Sequence, residues 1–423
     1  MVQHKRLLIS LLWVSGAGQF ASAATWCVSQ AGQCAYQTIG AAVTGASAGD
    51  TIQVQAGVYS ESVVITKPLS LMGSGSGTII SAIGLPVGIL IDGSAKAPAT
   101  GISGVIISGF TVENANFEGI LVLNASEVTI SNNQISGNDR SLNVTAGTCP
   151  NQPPYETNEG FDCGEGIHLM GVNHSIISKN TVKNNSGGIL LSDETGPTHD
   201  NLITGNTVAN NAYDCGITLA SHSAAPSSGL KLPAGVYHNT ISGNISMNNG
   251  LSTPGAGAGV GIFAPGPGNA NYGNVVINNT LTGNGLPGVA MHNHASIPGA
   301  PPVNLNDNMI VGNTISGNLA DTDDAATPGT TGINIFSLAP VTGTIITQNK
   351  ITNEQFDVVI NTPAADALTT LNDLQGQTGV DNLGMGMVNA NLNYWSCASG
   401  PGQSGCAGII GTVLAAVYAI VPF

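Results

Sequence analysis

The sequence predicts an all-β protein in which short strands wind into a solenoid of similar coils. Two recurring phrases support this prediction. The first is I-x-x-N-x-[IVL]-x-x-N, as in Ile203…Asn206-Thr-Val208…Asn211, and it recurs from residue 130 to residue 351. The second is G-[IV]-x-Φ, where Φ is apolar, as in Gly188-Ile-Leu-Leu. Internal repeats of this kind indicate an array in which each coil packs on its neighbours.

The asparagine phrase sets the size of a coil. The shortest interval between its central asparagines is 26 residues, which approximates one bare coil, and the longer intervals predict loops inserted at one corner. Equivalent side chains in stacked coils lie about 4.8 Å apart. We therefore expect a hydrogen-bonded ladder of amides along the solenoid. Its members are Asn133, Asn180, Asn206, Asn244, Asn279, Asn313 and Asn349.

The glycine phrase predicts short strands with one face buried, because inward and outward positions alternate along it. Its isoleucine and its Φ residue would point inward, so the residue between them points outward. The outward column through successive coils reads Leu121, His168, Leu190, Thr218, Phe263, Ala290 and Asn334.

Charge and composition limit the partners. Nine Lys and Arg against 24 Asp and Glu give a net charge of −15. This balance argues against nucleic acid or an anionic membrane surface as a partner. Only 8% of the residues are charged, which suits a weakly charged surface for sugar binding but is also typical of β-solenoids in general. We expect a monomer.

The N-terminus has the features of a secretory signal peptide. Lys5 and Arg6 precede an apolar run at 7–14 that is too short to span a bilayer, and small residues end at Ala23. We therefore expect cleavage near Ala23 and a secreted or periplasmic protein without a membrane span. The apolar end at 407–423 is interrupted by Gly and Pro and predicts a closing strand or cap.

All seven cysteines follow this segment, where an oxidising compartment permits disulfides. The pairs expected at the two ends are Cys27 with Cys34 and Cys397 with Cys406. Cys149 with Cys163 would staple an insertion and leave Cys215 unpaired. Cys163 with Cys215 is the alternative, because connectivity does not follow from sequence alone.

Both ends of the chain resemble one family. The opening Tyr36-Gln-Thr-Ile39…Gly57-Val-Tyr59 is similar to the first coils of right-handed parallel β-helix proteins of the pectate-lyase-like superfamily. The ending Asn393-Tyr-Trp395…Gly400-Pro-Gly402 resembles a terminal segment of secreted bacterial members. The asparagine phrase resembles the Asn-rich branch, which includes copper-maturation (NosD-like) proteins and carbohydrate lyases and epimerases. This scaffold hosts several chemistries, so the resemblance indicates the fold but does not indicate which activity the protein has.

The resemblance implies a single-stranded right-handed parallel β-helix, a solenoid with N- and C-terminal caps. We expect the signal peptide at 1–23 and the β-helix at 24–423. Within the β-helix, 24–100 would form the N-terminal coils and cap, 101–389 the repeat coils, and 390–423 the C-terminal cap.

Titratable residues gather near the outward column, over the coils with the longest loops. An enzyme acting on uronic acids needs a base near the C5 proton, a group that neutralises the carboxylate, and an acid for the leaving oxygen. His222 stands where a base is required. Asp193 and Glu194 are expected to bind Ca²⁺, which would hold the substrate carboxylate. Asp214 and His168 complete the predicted catalytic set by positioning the sugar.

Further residues are assigned to the substrate or to alternative chemistry. Asp214 with Glu194 is an alternative pair for hydrolysis, if their separation suits it. Arg140 is the single arginine after the signal peptide and lies in an insertion, which disfavours an arginine base. Residues expected to contact the substrate are Glu165, Thr218, His292 and Asn334.

Three other groups are candidate metal sites. His174, Asp200 and His238 occupy the same corner of successive coils, although such residues commonly close a turn and we favour that interpretation. His292-Asn-His294 places two imidazoles on one face of a strand, as a copper or zinc pair that needs a third ligand. For the loop at 321–324 we favour a solvated acidic loop over a Ca²⁺ site.

The function that we predict is that of a secreted polysaccharide-active protein, a lyase or epimerase on acidic glycans. Its partner would be a polysaccharide or cell-surface glycan, with Ca²⁺ as cofactor. The alternatives are a non-catalytic carbohydrate-binding or cell-surface β-helix and a periplasmic protein of the copper-maturation type.

Overall fold

The described residues form a parallel β-helix. In this computed structural model they are 23–94, 101–153, 164–222, 231, 233–252, 256–325, 327 and 329–423. Within them, short strands assemble into three long sheets, and every strand pairing is parallel, as between Thr181–Lys183 and Thr207–Ala209. The solenoid predicted from the two phrases is confirmed. The predicted signal peptide, apart from Ala23, lies outside the described residues.

The three sheets are here named A, B and C. Sheet A contains Thr25–Val28, Thr51–Val54, Ser70–Gly73, Ile106–Ser108, Thr129–Ser131, Ile176–Ser178, Leu202–Thr204, Thr240–Ser242, Val275–Ile277, Met309–Val311, Val341–Thr347, Ala365–Thr370, Val388–Asn389 and Val413–Leu414. Sheet B contains Gly57–Tyr59, Thr78–Ser81, Thr111–Glu113, Gln134–Ser136, Thr181–Lys183, Thr207–Ala209, Ile245–Met247, Thr280–Thr282, Thr314–Ser316, Lys350–Thr352 and Asp373–Leu374. Sheet C contains Val63–Ile65, Val87–Asp92, Ile102–Ser103, Glu118–Ser126, Glu165–Asn173, Gly187–Ser192, Thr198–His199, Ile217–Ala220, Val236–Tyr237, Val260–Phe263, Asn271–Tyr272, Val289–Asn293, Thr331–Ser337, Phe356–Asn361, Thr378–Asn382 and Gly408–Gly411.

The two ends of the solenoid are closed by different elements. Near the N-terminus the α-helix Ile39–Gly45 buries Ile39, and the Glu61 carboxylate accepts hydrogen bonds at 2.8 Å from the backbone N–H groups of Ile39 and Gly40. Such bonds satisfy donors that the first turn of a helix leaves unpaired. Near the C-terminus, Trp395 is fully buried in the core. Within the described part of the chain, no helix is long and apolar enough to cross a membrane.

The predicted asparagine ladder is present and buried. Asn206 is representative: its side-chain Nδ2 donates to Asn244 Oδ1 at 3.0 Å and to Ile177 O at 2.9 Å. Its Oδ1 accepts from the backbone N–H of Asn180 at 2.9 Å and from the Asn180 side chain at 3.0 Å. Each amide therefore links three successive coils, and a buried polar group of this kind must be hydrogen-bonded to be tolerated.

Two further ladders accompany the predicted one. The second runs along the last asparagine of the phrase, through Asn138, Asn185, Asn211, Asn249, Asn284 and Asn318. It ends at Glu354, whose pKa is raised to about 7 because its carboxyl group is buried. The third, not predicted from the sequence, contains Asn201, Asn239, Asn274 and Asn308.

The turn before the predicted ladder, the one that contains Asn206, requires a backbone in the left-handed region. The residue directly before each ladder asparagine has a positive φ, for example 63° at Gly205 and 56° at Asn278. Glycine and asparagine reach this region at the lowest energetic cost, so they recur at this corner. The turn then places the next asparagine side chain inside the coil.

The predicted disulfides at the two ends, Cys27–Cys34 and Cys397–Cys406, are confirmed. Cys149 is also disulfide-bonded, and its predicted partner Cys163 lies outside the described residues. Cys215 is a free, buried cysteine. The alternative pairing of Cys163 with Cys215 is therefore wrong.

Removing one ladder amide should destabilise the fold. The variant Asn206→Ala leaves Asn180 N, Ile177 O and Asn244 Oδ1 short of partners, and each buried group left unsatisfied costs about 1–3 kcal/mol. We expect a lower midpoint of denaturant unfolding, measured by circular dichroism. The matched control is Gln134→Ala, which removes an exposed amide from a sheet B strand. Equal midpoints for the two variants would contradict a stabilising ladder.

Candidate active site

The outward column of sheet C is built as the sequence predicts, with one correction. Strand pairing aligns Leu121, His168, Leu190, Thr218, Gly261, Ala290 and Asn334. The position assigned to Phe263 is occupied by Gly261, and Phe263 pairs with His292 instead. The coil uses Gly259-Val-Gly-Ile as its phrase, two residues before the one that we chose. A shift of two residues preserves the face of the sheet, so Phe263 still points outward.

This outward face is buried beneath the rest of the chain. His168 is 2% exposed, Thr218 is 6% exposed, and Asn334 is completely buried. Polar side chains in such a place need partners from neighbouring coils. Burial raises the pKa of the neighbouring Cys215 thiol, and Thr218 is among the groups that lower it. The prediction that Thr218 contacts substrate remains a prediction.

Five buried side chains on this face lie together, and we call them the buried network: Glu118, His168, Ser192, Glu194 and His222. His168 Nδ1 lies 3.1 Å from Glu118 Oε1, and His168 Nε2 lies 2.7 Å from Ser192 Oγ. Burial raises the pKa of Glu194 and His222 lowers it, and the nearby Ser192 hydroxyl also lowers it. Glu194 Oε1 in turn lies 2.6 Å from His222 Nδ1. The network therefore places the two predicted catalytic histidines in one buried cluster.

The coil repeat explains why these residues meet. Ser192 and Ala220 are paired in adjacent strands of sheet C. Glu194 and His222 each stand two residues beyond that pair, so they occupy equivalent positions in consecutive coils. Stacking then places the carboxylate beside the imidazole, although 28 residues separate them in sequence.

The electrostatics of the Glu194–His222 pair favour an oriented imidazole. Burial alone would raise the pKa of Glu194, but the charge and hydrogen bond of His222 outweigh burial and lower it. An ionised Glu194 accepts from His222 Nδ1, which fixes the tautomer and makes Nε2 the basic ring nitrogen. Histidine held by a carboxylate in this way is suited to general-base chemistry.

Asp193 has a different environment from its neighbour. Its carboxylate accepts from His222 N at 2.7 Å, from Ser221 Oγ at 2.9 Å and from Gly235 N. Burial raises the pKa of Asp193 to about 6 in spite of these bonds. The predicted Ca²⁺ site at Asp193 and Glu194 stays a prediction, and a cation would have to compete with these donors for Asp193.

The remaining predicted residues extend the site along the face. Glu118 and Glu165 begin adjacent strands at equivalent positions, and ligating atoms of Glu118, Glu165 and His168 all lie within 4.8 Å of one another. Glu165 and Asp214 both border Gly187, where an added Cβ would lie 3.0 Å from Glu165 Oε1 and 3.3 Å from Asp214 Oδ2. Glu165 thus stands close to His168 and shares the surroundings of Gly187 with Asp214. The alternative pairing of Asp214 with Glu194 for hydrolysis stays a prediction.

His292 and Asn334 belong to a second cluster farther along sheet C. His292 Nε2 hydrogen-bonds Asp321 Oδ2, and Asn334 donates to Asp321 at 2.9 Å and to Asp324 at 3.2 Å. Asp321 and Asp324 are only 1% and 2% exposed. The expected solvated acidic loop is therefore wrong for these two residues, because they turn inward to satisfy His292 and Asn334.

The corner of His174, Asp200 and His238 closes turns, as favoured. Their φ angles are 51°, 55° and 55°, all in the left-handed region. Beside them an unpredicted aromatic stack follows the coils: His199 lies 4.9 Å from Tyr237, and Tyr237 lies 5.1 Å from Tyr272.

Sequence analysis missed Ser192 and Asp321 as members of these clusters. Ser192 carried a weak signal, because it ends a strand directly before Asp193 and Glu194. Asp321 carried none beyond the acidity of its loop, since loop conformation does not follow the coil repeat.

The pKa of Asp193 makes a testable contribution to stability. The pKa is about 6 in the folded chain against an ordinary value of 3.8, so the folded chain binds this proton more tightly. The contribution favours folding at low pH and is lost as pH rises through about 6. We expect the difference in unfolding free energy between Asp193→Asn and wild type to grow by up to about 3 kcal/mol from pH 4 to pH 7. Denaturant unfolding at several pH values measures this difference, and a difference independent of pH would contradict the assignment.

The comparisons with known proteins bear on the fold. The family described as "Right handed beta helix region" matches residues 77–244. No curated protein is similar enough in sequence to match this chain.

Solved structures are similar to this chain at low sequence identity, and the first of them shares its fold. The Dettilon tailspike protein is similar with a TM-score of 0.56 and 15% identity over 86% of this chain. The match covers 62% of the tailspike chain, so this chain spans less than two thirds of its length. An alginate lyase from Paenibacillus sp. strain FPU-7 has a TM-score of 0.46 and 13% identity, covering 82% of this chain and 99% of the lyase. The A-module of an Azotobacter vinelandii mannuronan C-5 epimerase has a TM-score of 0.40 and 14% identity, covering 88% and 91%.

The three parallel sheets, the family match and the likeness to the tailspike lead to one conclusion. The chain has the fold of a parallel β-helix, and its residues 77–244 match the family described as "Right handed beta helix region".

Proposed function

We propose that this protein is a polysaccharide-active enzyme, a lyase or epimerase that removes the C5 proton from a uronic acid unit. The observation that carries the proposal is the Glu194–His222 pair, which lies in one buried cluster with Ser192, His168 and Glu118. Buried ionisable groups that hydrogen-bond one another on one face are costly to assemble and concentrate at functional sites.

Each residue of the network has a role in this reaction. His222 accepts the C5 proton at Nε2, while Glu194 stabilises the imidazolium that forms. Ser192 lies between the two pairs: its Oγ is 2.7 Å from His168 Nε2, and its hydroxyl also contributes to the lowered pKa of Glu194 after the larger effects of burial and His222. His168, held by Glu118 at Nδ1, would return a proton from Nε2 to the sugar or to the leaving oxygen, and for this step Nε2 must exchange its hydrogen bond with Ser192 Oγ.

The substrate carboxylate requires a positive partner, and this chain is strongly acidic. A bound divalent cation would reverse the local sign. The Glu194 Oε2 atom is buried and accepts no hydrogen bond within the described residues, so it is the oxygen that we propose as the first Ca²⁺ ligand. Asp193 would be the second Ca²⁺ ligand, and its carboxylate would give up one of its present hydrogen bonds to bind the ion. Glu165 and Asp214 would contact the adjacent sugar.

A non-catalytic glycan-binding protein is the second candidate. The observation that favours it is burial, since His168 is 2% and His222 5% exposed. A sugar could reach the imidazoles of His168 and His222 only if the parts of the protein that cover them move aside. The two candidates differ in turnover, because a binding protein retains glycans without changing them.

We also propose that the protein works in a secreted or periplasmic location. The two disulfides near its ends support an oxidising compartment.

The test is turnover of a panel of pectates, alginates and other uronic acid glycans, with and without Ca²⁺. Absorbance near 235 nm reports the unsaturated product of elimination, and NMR of the products reports epimerisation. We expect His222→Gln to lose about 10²–10⁴-fold in rate, the usual contribution of a general base. The matched control is His174→Gln on an exposed corner, which should keep the wild-type rate.

Two outcomes would remove the proposed mechanism. Full turnover by His222→Gln would exclude His222 as the base. Saturable glycan binding by wild type without turnover on any substrate would favour the binding protein.

A further inference from the structure

We propose that His292, His294 and Asp323 bind one divalent transition-metal ion, with Zn²⁺ as the reference ion. The site stands apart from the buried network and does not depend on the proposed enzyme activity. Its ligating atoms, one from each residue, lie within 4.8 Å of one another.

The distances between these atoms match a shared metal. His292 Nδ1 lies 3.4 Å from His294 Nε2, and His294 Nε2 lies 3.7 Å from Asp323 Oδ2. With Zn–N bonds of about 2.0–2.1 Å, two tetrahedral ligands lie about 3.3 Å apart. The two imidazoles therefore already have the required spacing, and Asp323 Oδ2, which lies within 4.8 Å of both nitrogens, must move closer to them. The third ligand that the sequence did not reveal comes from the loop at 321–324.

The strand provides the pairing of the histidines. Side chains two residues apart in an extended segment point to the same face. His292 lies within the strand Val289–Asn293 and His294 follows it, and their ring centroids are 5.3 Å apart. Phe336 packs against both rings, at 5.9 Å from His292 and 6.1 Å from His294. This packing limits the rotation of both imidazoles.

Asp321 orients the buried ligand. Its carboxylate accepts from His292 Nε2, which leaves Nδ1 as the lone-pair atom that faces His294. Asn334 and the backbone N–H of Asp323 in turn hold Asp321, at 2.9 Å and 3.1 Å. A carboxylate that holds the second nitrogen of a metal-binding histidine is a recurrent feature of zinc sites. Asp321 is therefore a positioning residue, not a ligand.

The site is accessible to an ion from one side. His292 is 2% exposed, whereas the side chains of His294 and Asp323 are 45% and 48% exposed. An ion would thus keep at least one position for water. Two imidazoles and one carboxylate suit Zn²⁺ or Cu²⁺ better than Ca²⁺ or Mg²⁺, which prefer oxygen ligands.

A second group of similar composition provides the control. Ligating atoms of His174, His199 and Asp200 also lie within 4.8 Å. There, however, His199 Nδ1 is directly hydrogen-bonded to Asp200 at 2.7 Å, and the His174 side chain is 60% exposed. This group contains no buried histidine equivalent to His292, so we assign no metal to it.

The experiment is titration of the full mature chain, without a polyhistidine tag and after removal of metals, with Zn²⁺ by calorimetry and with Co²⁺ by visible absorption. We expect one equivalent to bind, with the absorption bands of tetrahedral Co²⁺. His294→Ala should abolish this binding. Asp321→Asn should weaken it by about 10–100-fold, as expected for loss of an orienting carboxylate. His174→Ala should bind as wild type does.

Circular dichroism of each variant checks that the fold is kept. Because His294 and Asp323 are half exposed, His294→Ala and Asp323→Asn both test the site with little disturbance of packing. Absence of saturable binding in wild type would overturn the proposal. Equal affinity of wild type and His294→Ala would also overturn it.

Discussion

The buried asparagine amide is the interaction on which the rest of the molecule depends. Each ladder side chain donates to the coil on one side and accepts from the coil on the other, as Asn206 does with Asn244 and Asn180. Because these groups are shielded from water, a coil that slipped by one residue would leave several of them unsatisfied. The ladders thus fix the register of the coils. Fixed register is what brings Glu118 and His168 together across 50 residues of sequence.

Regular features of the fold were predictable because they repeat. The ladder around Asn206 and the outward position of His168 follow from spacing alone. The position of Phe263 was misjudged because two overlapping glycine phrases fit the same coil, and pairing with neighbouring strands selects between them. Residues in loops, such as Asp321, could not be placed, because a loop conformation is decided by the partners that it meets after folding.

The outward face of sheet C uses the same physical unit twice, a histidine held by a carboxylate from another coil. At Glu194 and His222 both partners are buried, which suits an oriented base in a site that excludes water. At Asp321 and His292 the pair is equally buried, but it adjoins the half-exposed His294. The second unit can therefore present an imidazole to an ion from solvent. The proposed base and the proposed metal site therefore differ in the exposure of the residues beside the histidine–carboxylate pair, and not in the pair itself.

Hydrogen exchange of the ladder backbone amides tests the central claim most directly. The backbone N–H groups of Asn133, Asn206 and Asn313 each donate to the side-chain oxygen of the ladder asparagine in the following coil. If the ladder is continuous and sets the register, these amides exchange slowly and at similar rates along the solenoid. Rapid exchange in the middle coils, with protection confined to the ends, would contradict this account.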